Sequence, residues 1–427
     1  MASLLRWVVI SVAFWVMLNA LALYQLNGGR VRKQWSALLY RRSNANSSEE
    51  PFEVESEDSS QDSSAGSEGA SVVDGSRVQL TRGPSPAAKK KAVSDPLPRS
   101  IGNSETAAVT EPVFYPHHSA LSFFVIGDWG GPGRQPQRNV AKAMDTIATE
   151  GIPVQGVPPA NIDFIISTGD NMYEDGVSSD RDAKFKRNFE DVYTHKSLQR
   201  RWYMSFGNHD HGAHGVMRNA QAEVNYTKKS RRWFLPSTYY TQKFIVGQTT
   251  AGKHSRKGNS FEVELFVLDT YDYSPRVTRM TEQQLKWFEL VLANSTADVK
   301  LVVGHRPLFS AGAKHGSSPY MQKKLEPLFR TYGVGVYMCG DDHELQVMRS
   351  QGVLYVLSGG GARAKKDLKP NGIPQTVFQA GVHGFMHAVV NATTFSLWTY
   401  NQIGELLHRM DHALPQSHHH KPKKVGK

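Results

Sequence analysis

The sequence predicts an α/β domain in which two β-sheets pack together between helices. From residue 120 onward, short β-branched or aromatic runs end at Gly or polar residues, which is typical of buried strands. Segments with helical spacing and cap residues lie between several of these runs. A domain over residues 119–413 of the 427-residue chain is long enough to bury a large core.

Seven runs are predicted as strands: Leu121–Ile126, Phe164–Ser167, Trp202–Ser205, Phe261–Leu268, Leu301–Val303, Val334–Met338 and Val353–Leu357. We expect Phe261–Leu268 to be half exposed, because it begins with alternating apolar and acidic residues. Three helices are predicted from their caps: Arg138–Glu150 before Gly151, Thr281–Ala293 behind Thr281, and a third from Ser318-Pro319 to about Gly333.

The N-terminal 42 residues contain an uncharged, mostly apolar segment, Trp7–Tyr24. Its 18 residues suit a short membrane span, and Ala20-Leu21-Ala22 also suits a cleaved signal peptide. The basic residues that follow favour a cytosolic domain by the positive-inside rule. Asn-x-Ser/Thr sequons favour the secretory pathway instead, and they lie at Asn46, Asn225, Asn294 and Asn391. We predict a membrane anchor with a lumenal or extracellular domain, and a secreted protein is the alternative.

The segments on either side of the domain are predicted to be disordered. Residues 43–118 form a stem whose first half is Ser-rich and carries nine acidic residues against one basic residue. Residues 414–427 form a tail rich in His and Lys.

Composition excludes several classes of protein and site. The single cysteine, Cys339, cannot form an internal disulfide or a thiolate zinc site. Any metal must therefore be held by His, Asp, Glu, Asn or Tyr. The net charge of +11 suits an anionic substrate. Because no basic motif is interleaved with aromatic residues, we expect no nucleic-acid partner.

Five predicted strands run directly into clusters of residues that bind metals. The clusters are Gly127-Asp128-Trp129-Gly130-Gly131, Gly169-Asp170-Asn171-Met172-Tyr173, Gly207-Asn208-His209-Asp210, Gly304-His305-Arg306-Pro307 and Gly340-Asp341-Asp342-His343. In α/β sheets, sites lie outside the carboxyl ends of strands. We therefore expect these side chains to converge, with Asn171, Asp210 and Asp342 shaping the loops by hydrogen bonds.

The order of these clusters resembles the metallophosphoesterases, and Tyr173, three residues after Asp170, narrows the resemblance to the purple acid phosphatases. The small, mammalian-type or tartrate-resistant branch is the most similar. The resemblance covers roughly residues 119–400. It implies the calcineurin-like fold, with four layers in the order α/β/β/α. It also implies an acid phosphatase that hydrolyses phosphomonoesters or phosphoproteins, with a metal-bound hydroxide as the nucleophile.

The same resemblance implies a binuclear centre. Its ferric ion would be bound by Asp128, Tyr173 and His343, and Asp170 would bridge to a divalent Fe, Zn or Mn ion bound by Asn208 and His305. Hard ferric iron suits carboxylate and phenolate oxygen, whereas divalent ions accept imidazole. The candidate catalytic residues, which would hold the phosphate or protonate the leaving group, are Asn208, His209 and His315.

One position departs from the family pattern. The family's last motif is G-H-D-H, and Asp341 stands where its first His would bind the second metal. We expect Asp341 to coordinate, but its added negative charge should weaken phosphate binding and alter the second metal or reduce turnover. Two alternatives follow. One is a membrane-tethered scaffold with a weakened phosphatase fold, and the other is a phosphodiesterase or nuclease of the same superfamily, against which Tyr173 argues.

Overall fold

The computed structural model describes residues 107–131, 134–152, 155–212, 220–247, 260–271 and 280–416. The predicted membrane segment, nearly all of the stem and most of the C-terminal tail lie outside these residues, so the predicted domain boundaries stay predictions. Among the described residues, no helix combines the length and the apolar character needed to cross a bilayer.

One sheet has seven strands in the order β16-β15-β14-β3-β4-β5-β6. The parallel strands are β3 (Leu121–Ile126), β4 (Phe164–Ser167), β5 (Arg201–Met204) and β6 (Trp233–Phe234). An antiparallel C-terminal extension joins them through β3, and it consists of β14 (Gly384–Val390), β15 (Thr394–Asn401) and β16 (Leu406–Ala413).

The other sheet has nine strands in the order β1-β7-β8-β9-β10-β12-β11-β13, and β2 also pairs with β7. Its strands are β1 (Ala108–Val109), β2 (Val113–Tyr115), β7 (Tyr240–Val246), β8 (Phe261–Val267), β9 (Val299–Val303), β10 (Val336–Cys339), β11 (Leu345–Ser350), β12 (Val353–Ser358) and β13 (Thr376–Ala380). The central strands β8, β9, β10 and β12 run parallel, so their carboxyl ends lie at one edge of the sheet.

In the described part of the chain, four α-helices accompany the sheets: α1 (Gln135–Thr149), α2 (Gln221–Tyr226), α3 (Glu282–Asn294) and α4 (Pro319–Tyr332). A π-helical turn spans Phe185–Glu190, and a 3-10 turn spans Lys196–Leu198. The predicted caps are present: the side chain of Thr281 accepts from the Gln284 N–H, and that of Ser318 accepts from the Met321 N–H. Gly333 ends α4 in the left-handed conformation, with φ of 70°.

The two sheets pack face to face through aromatic side chains. The ring of Phe164 on β4 stacks on Phe123 of the same sheet at 4.9 Å and on Phe244 of the other sheet at 4.7 Å. A second apolar cluster lies between the nine-stranded sheet and helices α3 and α4, and it includes Phe288 and Phe329. The predicted class, two packed sheets with helices, is therefore confirmed.

The seven predicted strands match the observed bounds within two residues. Helix α1 begins three residues earlier than predicted, because Pro136 occupies its first turn. The expectation that Phe261–Leu268 is half exposed is wrong. Glu264 is only 4% exposed, because the Ser295 hydroxyl donates to its carboxylate and Lys243 lies 3.8 Å away.

Candidate metal centre

The metal-binding clusters follow the carboxyl ends of five strands, β3, β4, β5, β9 and β10, where the two sheets meet. Asp128, Asp170 and His305 each offer a buried ligand atom, and these three atoms lie within 4.8 Å of one another. The predicted convergence of strands from both sheets on one crevice is thus present.

The backbone at this edge is unusual in three places. Asp128, Asp170 and Asp341 have φ values of 56°, 54° and 71°, in the left-handed region that aspartate tolerates better than most residues. Each aspartate lies two or three residues after the end of a strand. Neighbouring glycines give them room, since a Cβ atom on Gly340 would lie 2.4 Å from Asp128 Oδ2.

The first half of the centre contains Asp128, Tyr173 and His343. The Tyr173 hydroxyl donates to Asp128 Oδ1 at 3.1 Å and lies 3.4 Å from His343 Nε2. His343 Nε2 is also 3.5 Å from Asp128 Oδ1. Burial lowers the pKa of His343 to about 3, so the imidazole is neutral and its lone pair is available to a metal. The three predicted ferric ligands therefore share one pocket.

In the second half, His305 shows most directly that a cation belongs in the site. Its Nδ1 lies 2.7 Å from the Thr168 carbonyl oxygen, which can only accept, so Nδ1 carries the hydrogen and a neutral ring has its lone pair on Nε2. That Nε2 is buried without a hydrogen-bond partner within the described part of the chain. It lies 3.4 Å from Asp170 Oδ1 and 3.7 Å from Asp341 Oδ1.

A lone pair that faces two carboxylate oxygens is repelled unless a proton or a metal ion lies between them. In keeping with this, although burial by itself favours the neutral ring, the carboxylates of Asp170 and Asp128 raise the pKa of His305 well above its usual value. For Asp170, burial alone would raise the pKa, but His305 and His209 outweigh it and lower the pKa. This half of the centre therefore has the ligands and the charge to hold a cation.

His209 borders both halves. Its backbone N–H donates to Asp170 Oδ1 at 3.0 Å, and its Nε2 lies 3.9 Å from Asp170 Oδ2. The ring packs against Tyr173 at 4.4 Å, and Nδ1 bonds the Glu174 carbonyl, which fixes the ring orientation. Asn208, the residue before it, is half-buried beside Gly207, whose position leaves no room for a side chain next to Asp170.

Asp341 has partners that the sequence did not predict. The Arg306 guanidinium donates to Asp341 Oδ2 at 2.8 Å, and the Tyr271 hydroxyl donates to Asp341 Oδ1 at 2.7 Å. Burial alone would raise the pKa of Asp341, but His305 and Arg306 outweigh burial and lower it, so the group is a carboxylate. The only feature of the sequence that could have indicated the contact with Arg306 is that Arg306 directly follows the predicted ligand His305.

His315 lies in a loop that Asp342 holds. The carboxylate of Asp342 accepts from the backbone N–H of His315 at 3.2 Å, from that of Gly316 at 3.1 Å, and from the Ser310 hydroxyl. The imidazole is half-buried, and burial lowers its pKa. The structure thus places the backbone of His315 beside the centre and shows Asp342 as a loop-shaping residue, as predicted.

Asp210 and Asn171 also shape loops as predicted. Asp210 accepts from the N–H groups of Gly207 at 2.7 Å and of Asn171 and Met172 at 2.8 Å, which ties together the loops after β4 and β5. Burial and the charge of Asp170 raise the pKa of Asp210 to about 6. Asn171 in turn accepts from the Ser167 hydroxyl at 2.6 Å.

Two further contacts border the centre. The Arg363 guanidinium lies over the Tyr173 ring at 4.1 Å and pairs with the Glu174 carboxylate. His211 Nε2 lies 2.9 Å from Asp269 Oδ2. No motif spacing in the sequence indicated either pair, since both join loops that meet only in the folded chain.

The donor set fits two cations of different hardness. Carboxylate and phenolate oxygen dominate the first half, whereas the second half combines carboxylates with the imidazole of His305. Asp170 lies between the halves and has two oxygens to share.

Residues 121–345 match the calcineurin-like phosphoesterase family. The chain is 37% identical to tartrate-resistant acid phosphatase type 5 of Homo sapiens over 260 residues, which are 57% of this chain and 73% of that protein. It is 33% identical to the Sus scrofa protein of the same name over 73% of this chain and 90% of the other. Purple acid phosphatase 17 of Arabidopsis thaliana is 30% identical over 72% and 88%.

Among solved structures, the fold is similar to "GAP50 the anchor in the inner membrane complex of Plasmodium". The TM-score is 0.59 at 21% identity, over 70% of this chain and 90% of that one. At this identity the likeness concerns the fold.

Proposed function

This chain belongs to the purple acid phosphatases, metal-dependent acid phosphatases of the calcineurin-like phosphoesterase family, and we propose that it hydrolyses phosphomonoesters at an iron-containing binuclear centre. The ferric ion would be held by Asp128, Tyr173 and His343. A divalent Fe, Zn or Mn ion would be held by Asn208, His305 and Asp341. Asp170 would bridge the two ions.

One observation carries this proposal: the buried Nε2 of His305 lies 3.4 Å from Asp170 Oδ1 and 3.7 Å from Asp341 Oδ1, so a proton or a metal ion has to lie between the imidazole and the carboxylates. A purely structural histidine at such a place would hold a hydrogen bond through that nitrogen. When bound, the two cations would supply positive charge that polarises the phosphoryl oxygens and stabilises the transferring group.

The residues of the chain supply the proton transfer. His209 is oriented through its Nδ1 contact with the Glu174 carbonyl, so Nε2 faces the centre. An imidazole oriented in this way can donate a proton from Nε2 to the leaving alkoxide. His315 is the second candidate for this role or for holding the phosphate.

Cationic side chains lie near His343 in the first half. Arg363, Lys365 and Lys314 all act to lower the pKa of His343 behind the larger effect of burial, which places their charge close to it. A phosphomonoester dianion or a phosphoprotein would be attracted to this rim.

The test is metal analysis of the purified full-length protein, together with its visible spectrum and phosphate release at acidic pH. We expect two cations per chain, one of them iron, and an absorption band from the Tyr173 phenolate on ferric iron. A folded protein that stays colourless and metal-free after incubation with iron and zinc, and releases no phosphate, would contradict the proposal and favour the scaffold. Preferential hydrolysis of phosphodiesters would favour the other alternative.

We further propose that the catalytic domain lies in the lumen or outside the cell, attached through the N-terminal segment or secreted. Two sequons of the described part, Asn294 and Asn391, have exposed side chains that a glycan could reach. Digestion of protein expressed in eukaryotic cells with a peptide N-glycosidase should shift its electrophoretic mobility. Replacement of the sequon asparagines by Gln should abolish that shift, and an unshifted native protein would argue against this location.

A further inference from the structure

The carboxylate of Asp341 is shared between the metal centre and an arginine. Arg306 Nη1 donates to Oδ2 at 2.8 Å, and the Tyr271 hydroxyl donates to Oδ1 at 2.7 Å. Arg306 Nη1 also lies 3.3 Å from the Tyr271 hydroxyl, so the three side chains form a closed triangle.

The triangle has an inner and an outer side. Oδ1 of Asp341 lies 3.7 Å from His305 Nε2, which turns this oxygen toward the second cation position. The Asp341 side chain is 2% exposed and that of Arg306 is 17% exposed, so the guanidinium is the member nearer to solvent. An anion that entered the centre from solvent would meet the charge of Arg306 as well as that of any metal.

The backbone holds Arg306 in this place at both of its peptide groups. Its N–H donates to the Thr270 hydroxyl at 2.8 Å, and its carbonyl accepts from the Tyr337 hydroxyl at 2.6 Å. The Arg306 side chain is therefore already in contact with Asp341 before a substrate binds.

The charges of the carboxylates in the centre indicate what the Arg306 guanidinium does. Asp128, Asp170 and Asp341 bring three buried carboxylates into one centre. A third carboxylate lowers the net charge by one relative to a neutral ligand and would repel a phosphate dianion. The guanidinium of Arg306 returns that unit of charge without occupying a ligand position.

We propose that Arg306 is a charge-compensating residue for Asp341, which keeps the second half of the centre able to bind the phosphate dianion. This inference rests on the proposed function, since it takes Asp341 as a ligand of the second cation. Arg306 acts through Asp341 and is a positioning residue, and Tyr271 fixes the carboxylate between them.

The experiment measures binding of inorganic phosphate to the metal-loaded, full-length protein by calorimetry. Arg306→Gln removes the charge, and we expect phosphate to bind on the order of a hundredfold more weakly, as for the loss of one unit charge roughly 10 Å from a dianion at an effective dielectric constant of about 20. Arg306→Lys keeps the charge and should bind phosphate nearly as the native protein does. The Arg306→Gln/Asp341→Asn double variant restores the charge balance, so it should recover most of the lost affinity.

Two controls separate charge compensation from a structural role. Metal content is measured for every variant, and Arg349→Gln removes an exposed arginine on β11 whose guanidinium donates to the Asp411 carbonyl. We expect Arg306→Gln to keep both cations and Arg349→Gln to bind phosphate normally. If Arg306→Gln fails to fold, Asp341→Asn carries the test, because removal of the anion should strengthen phosphate binding.

The possible failures are distinct. A native protein that never binds a second cation contradicts the proposed function and this inference together. A native protein that binds two cations, with phosphate affinity unchanged in Arg306→Gln, contradicts this inference alone. So does loss of the second cation in Arg306→Gln without recovery in the double variant, since Arg306 would then be a scaffold for the ligands.

Discussion

The two halves of the centre balance their charges in different ways. In the first half, Asp128, Tyr173 and His343 contact one another, with 3.1 Å between the phenol and the carboxylate, and burial keeps the imidazole neutral. In the second half, the carboxylate of Asp341 is paired with Arg306, which offers no lone pair to a metal. The difference teaches that burial can set the charge of one side chain, whereas a neighbouring guanidinium can balance the charge of another.

The largest effect is expected from removal of the Asp170 carboxylate, which lies between the two halves and should affect cation binding in both. Asp170→Asn takes away the negative charge that both halves use, and we expect the affinity for both cations to fall by at least about a hundredfold, the upper end of what loss of a supporting contact costs. Metal content after dialysis and phosphate release report the effect. Asp411→Asn, an exposed carboxylate on β16, is the matched control. Retention of one full equivalent of metal in Asp170→Asn would show that the halves bind independently.

A change confined to the first half comes next. Tyr173→Phe removes the phenolate, so the visible absorption band should vanish and iron affinity should fall about 10- to 100-fold, while the second cation stays bound. Absorption spectra and metal analysis measure both effects. Tyr193→Phe, a buried tyrosine packed against Trp129 at 5.6 Å, should leave the colour intact. A coloured Tyr173→Phe protein would assign the band to another ligand.

A substitution in the second half should change which metal binds there and leave the first half unaffected. Asp341→His exchanges an oxygen ligand for imidazole, so the second position should prefer zinc over manganese more strongly than in the native protein. Iron content and colour should stay the same. Competition between the two metals for the iron-loaded protein gives the preference. An unchanged ratio together with unchanged turnover would mean that Asp341 is not a ligand.

A smaller effect is expected where a residue supports a loop and binds no metal. Asp342→Asn weakens the acceptor for the backbone of His315 and Gly316, and we expect the free energy of unfolding to fall by about 1–3 kcal/mol. Denaturant unfolding of the metal-free protein measures this change. Phosphate release should slow while both cations stay bound, and a simultaneous loss of metal would show that the loop also supports the ligands.

The smallest expected effect lies away from both halves, in the seven-stranded sheet. Burial lowers the pKa of His387 from 6.5 to about 3. Between these values the unfolded chain binds a proton that the folded chain does not, so the free energy of unfolding falls as the pH falls, by about 1.4 kcal/mol per pH unit from this residue. Unfolding at pH 6 and pH 5 should show a shallower fall for His387→Phe. Equal slopes would mean that His387 is protonated in the folded protein.

The sequence predicted the parts of the fold whose signals are local. β3 and β4 match their predicted bounds, because an apolar run and the Gly-Asp turn after it define both ends. Strand β7 and the C-terminal strands were not predicted. They contain polar residues that are buried by distant partners, such as Gln242, which is 1% exposed and donates to the Glu111 carbonyl at 2.8 Å.

The centre shows the same limit. Residues that follow strands in Gly-containing motifs were predicted as a group, and they converge. The contact of Asp341 with Arg306 and Tyr271 was not predicted, because it joins positions 35 and 70 residues apart. It follows from the strand order: Tyr271, Arg306 and Asp341 come after β8, β9 and β10, which are parallel neighbours. Without that order, nothing in the three local sequences brings them together.

The left-handed backbone at Asp128, Asp170 and Asp341 restricts how such a centre can decay during evolution. Most side chains would add about 1–2 kcal/mol of backbone strain at each of these positions, whereas Asn and Gly adopt the conformation readily. A lineage released from selection for catalysis would therefore lose its carboxylates first through Asn or Gly, with the fold preserved. Descendants that retain the fold for another purpose should carry those two residues at the three positions, and that pattern would distinguish silent members from active ones in sequence alone.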